Sequence, residues 1–145
     1  MKGLIQRVSA ADVVVAGEAV GAIGAGLLLL LGVEKSDDEQ KADKLLDRIL
    51  RYRVFSDDSD KMNLSLSDTG GGLLVVSQFT LVADTRKGLR PSFSSGATPE
   101  QGKQWYDYFV AQAQARHHDV ATGIFGATMK VSLLNEGPVT FMLEV

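Results

Sequence analysis

The sequence predicts an α+β fold: a curled, barrel-like mixed β-sheet with two main helices packed on one side, in a single domain over residues 1–145. Three observations carry this. Several segments show the apolar runs or partial alternation of strands. Two longer segments switch to helical spacing. Their order, βββαβββα followed by further strands, suits a mixed sheet with helices segregated to one face.

From Leu4 to Val15 the chain is rich in valine and alternates in part; AGEA at 16–19 supplies a turn, and EAVGAI returns as the second strand of a hairpin. Gly24 and Gly26 bound the next turn, and LLLLLGV at 27–33 has the continuous apolar character of a strand buried on both faces. In SDDEQKADKLLDRILRYR the period changes: Ala42, Leu45, Leu46, Ile49 and Leu50 share one helical face, with Ser36 or Asp37 as the cap. The polar connection at 56–72 contains a short strand around Met62 to Leu66, and its GGG is a turn, since it lacks the Lys-Ser/Thr of a phosphate loop and precedes a strand. GLLVVSQFTLVA reads as one buried strand, and DTRKGLRPSFSSGA as a loop. Thr98-Pro99-Glu100-Gln101 combines a capping box with proline at the first helical position, and Gly102, Trp105, Tyr106, Phe109, Val110 and Ala113 then repeat at helical spacing as a packing face. DVATGIF, MKVSLLN and VTFMLEV close the chain as strands. The last two are separated by NEGPVT, an unusual place for proline, which has no N–H to give to a ladder.

Composition narrows the chemistry. The absence of cysteine removes disulfides, thiolate metal sites and a cysteine nucleophile. The longest apolar run is far short of the roughly 20 residues that span a bilayer, and it lies too far along to be a signal peptide, so a cytoplasmic protein with no membrane partner is expected. A net charge of −3 argues against an extended nucleic-acid coat, though local basic patches can serve. Two such patches stand out: Lys41, Lys44, Arg48 and Arg51 along the first helix, and Arg86, Lys87 and Arg90 in the loop after SQFTL. The helix stripe is more simply a solvated flank.

The usual catalytic groups are missing. His117 and His118 are adjacent at a helix end, about 100 degrees apart, which suits capping better than a shared metal. A Ser77–histidine hydrolase would lack the G-x-S-x-G elbow, and Asp57, Asp58 and Asp60 lack the other ligands of a calcium loop. Ser77, Gln78 and Thr80 stand in an apolar stretch, where hydrogen bonding within the sheet accounts for them as well as catalysis does.

SQFTL at 77–81 and NEGPVT at 135–140 resemble the two signature motifs of the D-aminoacyl-tRNA deacylases, also called D-tyrosyl-tRNA deacylases, and LIQRV, GAGLLLLLGVEK, YRVFSD, KMNLS and RPSFS extend the likeness along the chain. The resemblance implies hydrolysis of the ester between a D-amino acid, or glycine mischarged on alanine tRNA, and the terminal adenosine. It implies a homodimer with no metal or organic cofactor and no DNA partner. Gly137 and Pro138 would form a cis step entering the partner subunit's active site, with Arg7 as its support. Carbonyls aimed from that step would hold the substrate ammonium and occupy the space an L side chain needs, leaving glycine admitted. Ser77, Gln78, Phe79 and Thr80 would form the catalytic segment, with backbone amides around Ser77, Gln78 and Phe79 stabilising the oxyanion. The substrate's own 2'-hydroxyl would assist the chemistry. Thr80 without an adjacent base is a poor nucleophile and a candidate for positioning. Arg86, Lys87 and Arg90 are the preferred tRNA contacts. Two other readings are a non-catalytic binder of D-amino acids or nucleotides, and a Ser-His small-ester hydrolase.

Overall fold

The computed structural model describes residues 1–145. Strand β1 (Lys2–Val15) is the spine of the sheet. A two-residue turn at Ala16 and Gly17, both at positive φ as a tight hairpin turn requires, reverses the chain into β2 (Glu18–Ile23). After a kink, β3 (Gly26–Gly32) continues along the same side of β1, so that β2 covers the second half of β1 and β3 the first, from Lys2 opposite Gly32 to Val8 opposite Gly26.

Helix α1 (Glu39–Arg51) follows, burying Ala42, Leu45, Leu46, Ile49 and Leu50 as its spacing predicts. Its cap is Asp38, one residue beyond the expected pair, and Asp38 Oδ1 accepts the Lys41 amide at 2.9 Å. Asp37 cannot cap because its carboxylate is already engaged. It receives the buried Met1 ammonium at 2.6 Å and the Glu34 amide at 2.7 Å.

Strands β4 (Phe55–Ser56) and β5 (Met62–Leu64) form a small separate hairpin. The expected strand through Leu66 stops at Leu64. Ser65 and Asp68 cap each other's backbone and start a four-residue helix, α2 (Leu66–Thr69), which the sequence reading did not foresee.

Strand β6 (Gly72–Ser77) runs parallel to β3, and β7 (Val120–Thr122) parallel to β6. Between them, α3 (Pro99–Arg116) begins at the expected Thr98 capping box and packs beside α1 on one face of the sheet. The last strand, β8 (Lys130–Glu144), lies antiparallel along nearly all of β1, on the side away from β2 and β3, and its other edge has no strand partner.

The sheet curls until its ends meet. A Cβ on Gly21 of β2 would sit 2.3 Å from the Thr122 carbonyl oxygen of β7, an approach only glycine permits. Curling divides the β3 and β6 side chains between two apolar regions. Leu27, Leu29, Leu31, Leu73 and Val75 pack under the helices with Leu45, Ile49 and Phe109. Leu28, Leu74 and Val76 fill the barrel with Val8, Val13 and Ile23. That double burial is why β3 reads as an unbroken leucine run, each such residue contributing about 1.5–3 kcal/mol.

Candidate active site

The ladder of β6 ends at Ser77, where the Gln78 amide donates to the Leu31 carbonyl at 2.8 Å. SQFTL is therefore not strand throughout: residues Phe79–Val82 form a 3-10 turn, closed by the Leu81 amide on the Gln78 carbonyl and the Ala83 amide on that of Thr80. The polar groups that seemed costly inside a sheet are instead at its open end. Gln78 Nε2 donates to Thr80 Oγ1, and Phe79 projects with 68% of its surface exposed, its ring 5.2 Å from that of Phe93.

Ser77, Gln78 and Phe79 form one side of a pocket of about 500 Å³, walled by Leu31, Val76, Tyr106, Phe125 and Met129. Tyr106 donates its hydroxyl to the Val75 carbonyl at 3.0 Å, and burial pushes its phenol up to about 12. Neither histidine hydrogen-bonds Ser77 or Thr80. His117 occupies the C-cap of α3 and its ring Nε2 lies 2.6 Å from the Gly71 carbonyl, so that nitrogen carries the proton; the His118 ring lies beside it, tilted by 45°. The His117 ring thus bonds the Gly71 carbonyl, while its backbone amide closes the helix on the Ala113 carbonyl at 2.8 Å. No group of three or more His, Asp or Glu side chains is arranged to hold a metal ion.

The second motif lies elsewhere. Pairing of β1 with β8 passes from Gln6 opposite Thr140 to Val8 opposite Asn135, leaving Arg7 to face the four residues Glu136 to Val139, which take no part in the ladder. They form a bulged loop within β8 in which Glu136, Gly137 and Pro138 are exposed, with a cis Gly137–Pro138 peptide, while the Val139 side chain is buried in the core under the helices. Arg7 braces it: Nε donates to the Glu136 carbonyl at 2.9 Å while a terminal nitrogen donates to the Val54 carbonyl at 2.7 Å. Within one chain the two motifs stay apart. Ser77 shares a row with Leu31 and Gly3, four residues from Arg7 along β1, roughly 13 Å at strand spacing. Gly137 and Pro138 do not line the pocket.

The basic groups differ in availability. Arg86 grips Asp84 with two guanidinium bonds of 2.9 and 2.7 Å, which holds that carboxyl far below the usual range. Lys87 and Arg90 are exposed and make no salt bridge. On α1, Lys41 bonds Ser36, Arg48 bonds the Glu144 carbonyl over the Tyr52 ring, and Arg51 pairs with Asp47. The helix stripe is largely engaged, the loop less so.

Sequence reasoning did not single out Gln6, Asn135 and Thr140, whose side chains meet at the base of the loop. Asn135 and Thr140 flank the Gly-Pro step, and that flanking position was the available signal.

Several known proteins resemble this chain over its full length. A D-aminoacyl-tRNA deacylase of Stutzerimonas stutzeri (strain A1501) is 65% identical over 144 residues, covering 99% of each chain. One from Aeromonas hydrophila subsp. hydrophila is 65% identical over the full length of both. Among solved structures, the c-Myc DNA unwinding element binding protein matches with a TM-score of 0.96 at 38% identity, covering 100% of this chain and 99% of that one. A probable eukaryotic D-amino acid tRNA deacylase shares the fold, with a TM-score of 0.85 at 18% identity over 99% and 98% of the two chains. The family model described as D-Tyr-tRNA(Tyr) deacylase matches residues 4–144, which takes in both motifs, and the chain belongs to that family.

Proposed function

We propose that this chain, acting as one domain over residues 1–145, hydrolyses the ester of D-aminoacyl-tRNA to free D-amino acid and tRNA. The observation that carries the reading is the pocket rim. Ser77, Gln78 and Phe79 line an apolar cavity and Thr80 follows them, bonded to Gln78, with no acid–base side chain hydrogen-bonded to either hydroxyl. An aminoacyl ester is already activated, so electrostatic stabilisation of its oxyanion is the main demand on the protein. The Gln78 amide is engaged by Leu31, whereas Phe79 and Thr80 head the 3-10 turn, where amides have no acceptor within the turn. Those two are the oxyanion donors. The vicinal 2'-hydroxyl of the terminal ribose assists attack by water, and Thr80, held by Gln78, positions rather than attacks.

Selectivity comes from a second subunit. Gly137 and Pro138 of the partner subunit face the pocket rim and block an L side chain, while glycine, having none, is admitted. What supports this is the separation of the two motifs within one chain, the exposure of Glu136, Gly137 and Pro138, and the exposed Leu134, Phe141 and Met142 on β8. Acceptor-stem phosphates meet Lys87 and Arg90, and the enzyme works in the cytoplasm, where charged tRNA is found.

The deciding experiment charges one tRNA in parallel with D-tyrosine and L-tyrosine and follows release by chelator-treated protein. Rapid release of the D amino acid alone is expected; equal slow loss of both would remove the reading. The solved structure named for DNA binding makes duplex DNA a useful competitor. It should fail to displace charged tRNA at equal phosphate concentration.

A further inference from the structure

We infer that Asn135 is a positioning residue that fixes the selectivity loop in place by closing its neck, an inference that rests on the deacylase reading above. The four residues Glu136 to Val139 leave the ladder together, so the sheet no longer dictates where they stand. Val139 is anchored by its side chain in the core, and two side-chain hydrogen-bond systems hold the backbone on either side of the Gly-Pro step. On one side Arg7 holds the Glu136 carbonyl. On the other, Asn135 Oδ1 accepts the Val139 amide at 3.1 Å, satisfying a half-buried backbone donor that has left the ladder. The same carboxamide turns its Nδ2 to Thr140 Oγ1 at 3.1 Å, and Gln6 Nε2 on β1 donates to that oxygen at 3.3 Å. Asn135 therefore joins the residue before the loop to the two residues after its Gly-Pro step, and Thr140 ties that clasp to β1.

The bond polarities explain why these residue types are needed. Thr140 Oγ1 accepts from two donors, which uses both lone pairs of a hydroxyl. Asparagine is one of the few side chains able to accept from a backbone amide and donate to a hydroxyl at once. Rejection of L substrates by the loop is steric, and a steric wall discriminates only as far as it refuses to move. Displacements near 1 Å are enough to change rates by about a hundredfold. Loosening the neck should therefore appear in selectivity before it appears in stability.

The test compares the D-to-L ratio of kcat/KM on tRNA charged with D-tyrosine or L-tyrosine for the parent, Asn135→Ala, Asn135→Asp and Thr140→Val, alongside thermal unfolding. Asn135→Ala should lower the ratio about tenfold or more, mainly through faster L release, with KM for the D substrate nearly unchanged and Tm within a few degrees. Asn135→Asp keeps the acceptor for Val139 and can accept from the Thr140 hydroxyl once that hydroxyl turns, so it should recover most of the ratio. Thr140→Val, which keeps the side-chain shape, should fall between parent and Asn135→Ala and carries the test should the alanine variant not fold. A selective parent with unchanged ratios in the variants, or an aspartate variant no better than alanine, overturns the inference while leaving the deacylase reading intact. A parent that releases both enantiomers equally overturns both.

Discussion

At Gly137 the backbone stands at φ 138°, where L residues are strained, and a Cβ there would lie 2.7 Å from Val139 Cγ2 and 3.1 Å from an Arg7 guanidinium nitrogen. Gly137→Ala should push the loop off its Arg7 brace and lower kcat/KM for D-tyrosyl-tRNA by at least about tenfold in a protein that still folds. Thr80→Ala, by contrast, removes only the hydroxyl that accepts from Gln78 and should cost less than about tenfold in the same assay. A larger loss in a folded protein would give Thr80 a direct role. Tyr106 allows a check away from the loop. Its folded pKa, about 12, exceeds the unfolded value near 10, so folding favours the protonated phenol. That stabilisation is complete below about pH 10 and is lost as pH rises from 10 to 12, amounting to about 2 kcal/mol. Urea unfolding across that range should show the decline in the parent and a flatter profile in Tyr106→Phe. Single residues were only partly legible in the sequence. The Arg7 brace followed from the family likeness, whereas the Asn135 clasp depends on a bulge register that no local pattern encodes.

Helices were more readable than the turns between strands. In α1 the five apolar positions named from spacing are all buried, because amphipathic periodicity is a local property. The SQFTL segment misled for a physical reason: it continues the apolar, valine-containing run GLLVV and is followed by Val82 and Ala83, but the strand ends where its parallel neighbour β3 ends, a tertiary boundary. The α1 cap was displaced by one residue through a partner 36 positions away, the Met1 ammonium on Asp37. Both groups of that pair are fully buried, and Glu34 Oε2 also holds the ammonium at 2.8 Å, so Asp37→Asn, which leaves Glu34 as the only carboxylate on that cation, should destabilise by about 1.5–3 kcal/mol, measured by urea unfolding. In the 84–93 segment, Lys87→Glu and Arg90→Glu should each weaken tRNA binding and reduce its salt dependence, while Arg86→Glu should do so less, because its charge is already spent on Asp84. Equal effects from all three would return Arg86 to the contact surface.

For the whole molecule, the fold class was legible because the segment types and their order restrict the sheet to few arrangements. The pairing of first and last strands was not, since it joins residues from opposite ends of the sequence. Assembly can be tested at this scale. Leu134→Glu, at a β8 position two-thirds exposed in the isolated chain, should leave the fold intact, shift sedimentation to the monomer and abolish D-tyrosine release. An active monomer would place the selectivity loop in its own subunit. Pairing across the molecule also sets a limit on how it is made. Arg7 reaches the Glu136 carbonyl across 129 positions of sequence, and the strand bearing that carbonyl is the last one synthesised. On the ribosome the hairpin and α1 can form early, yet β1 must wait with one edge bare until nearly the whole chain has emerged. High contact order of this kind slows folding and prolongs exposure to aggregation. A nascent chain stalled before β8 would therefore be a substrate for chaperones, and it would have no selectivity loop at all.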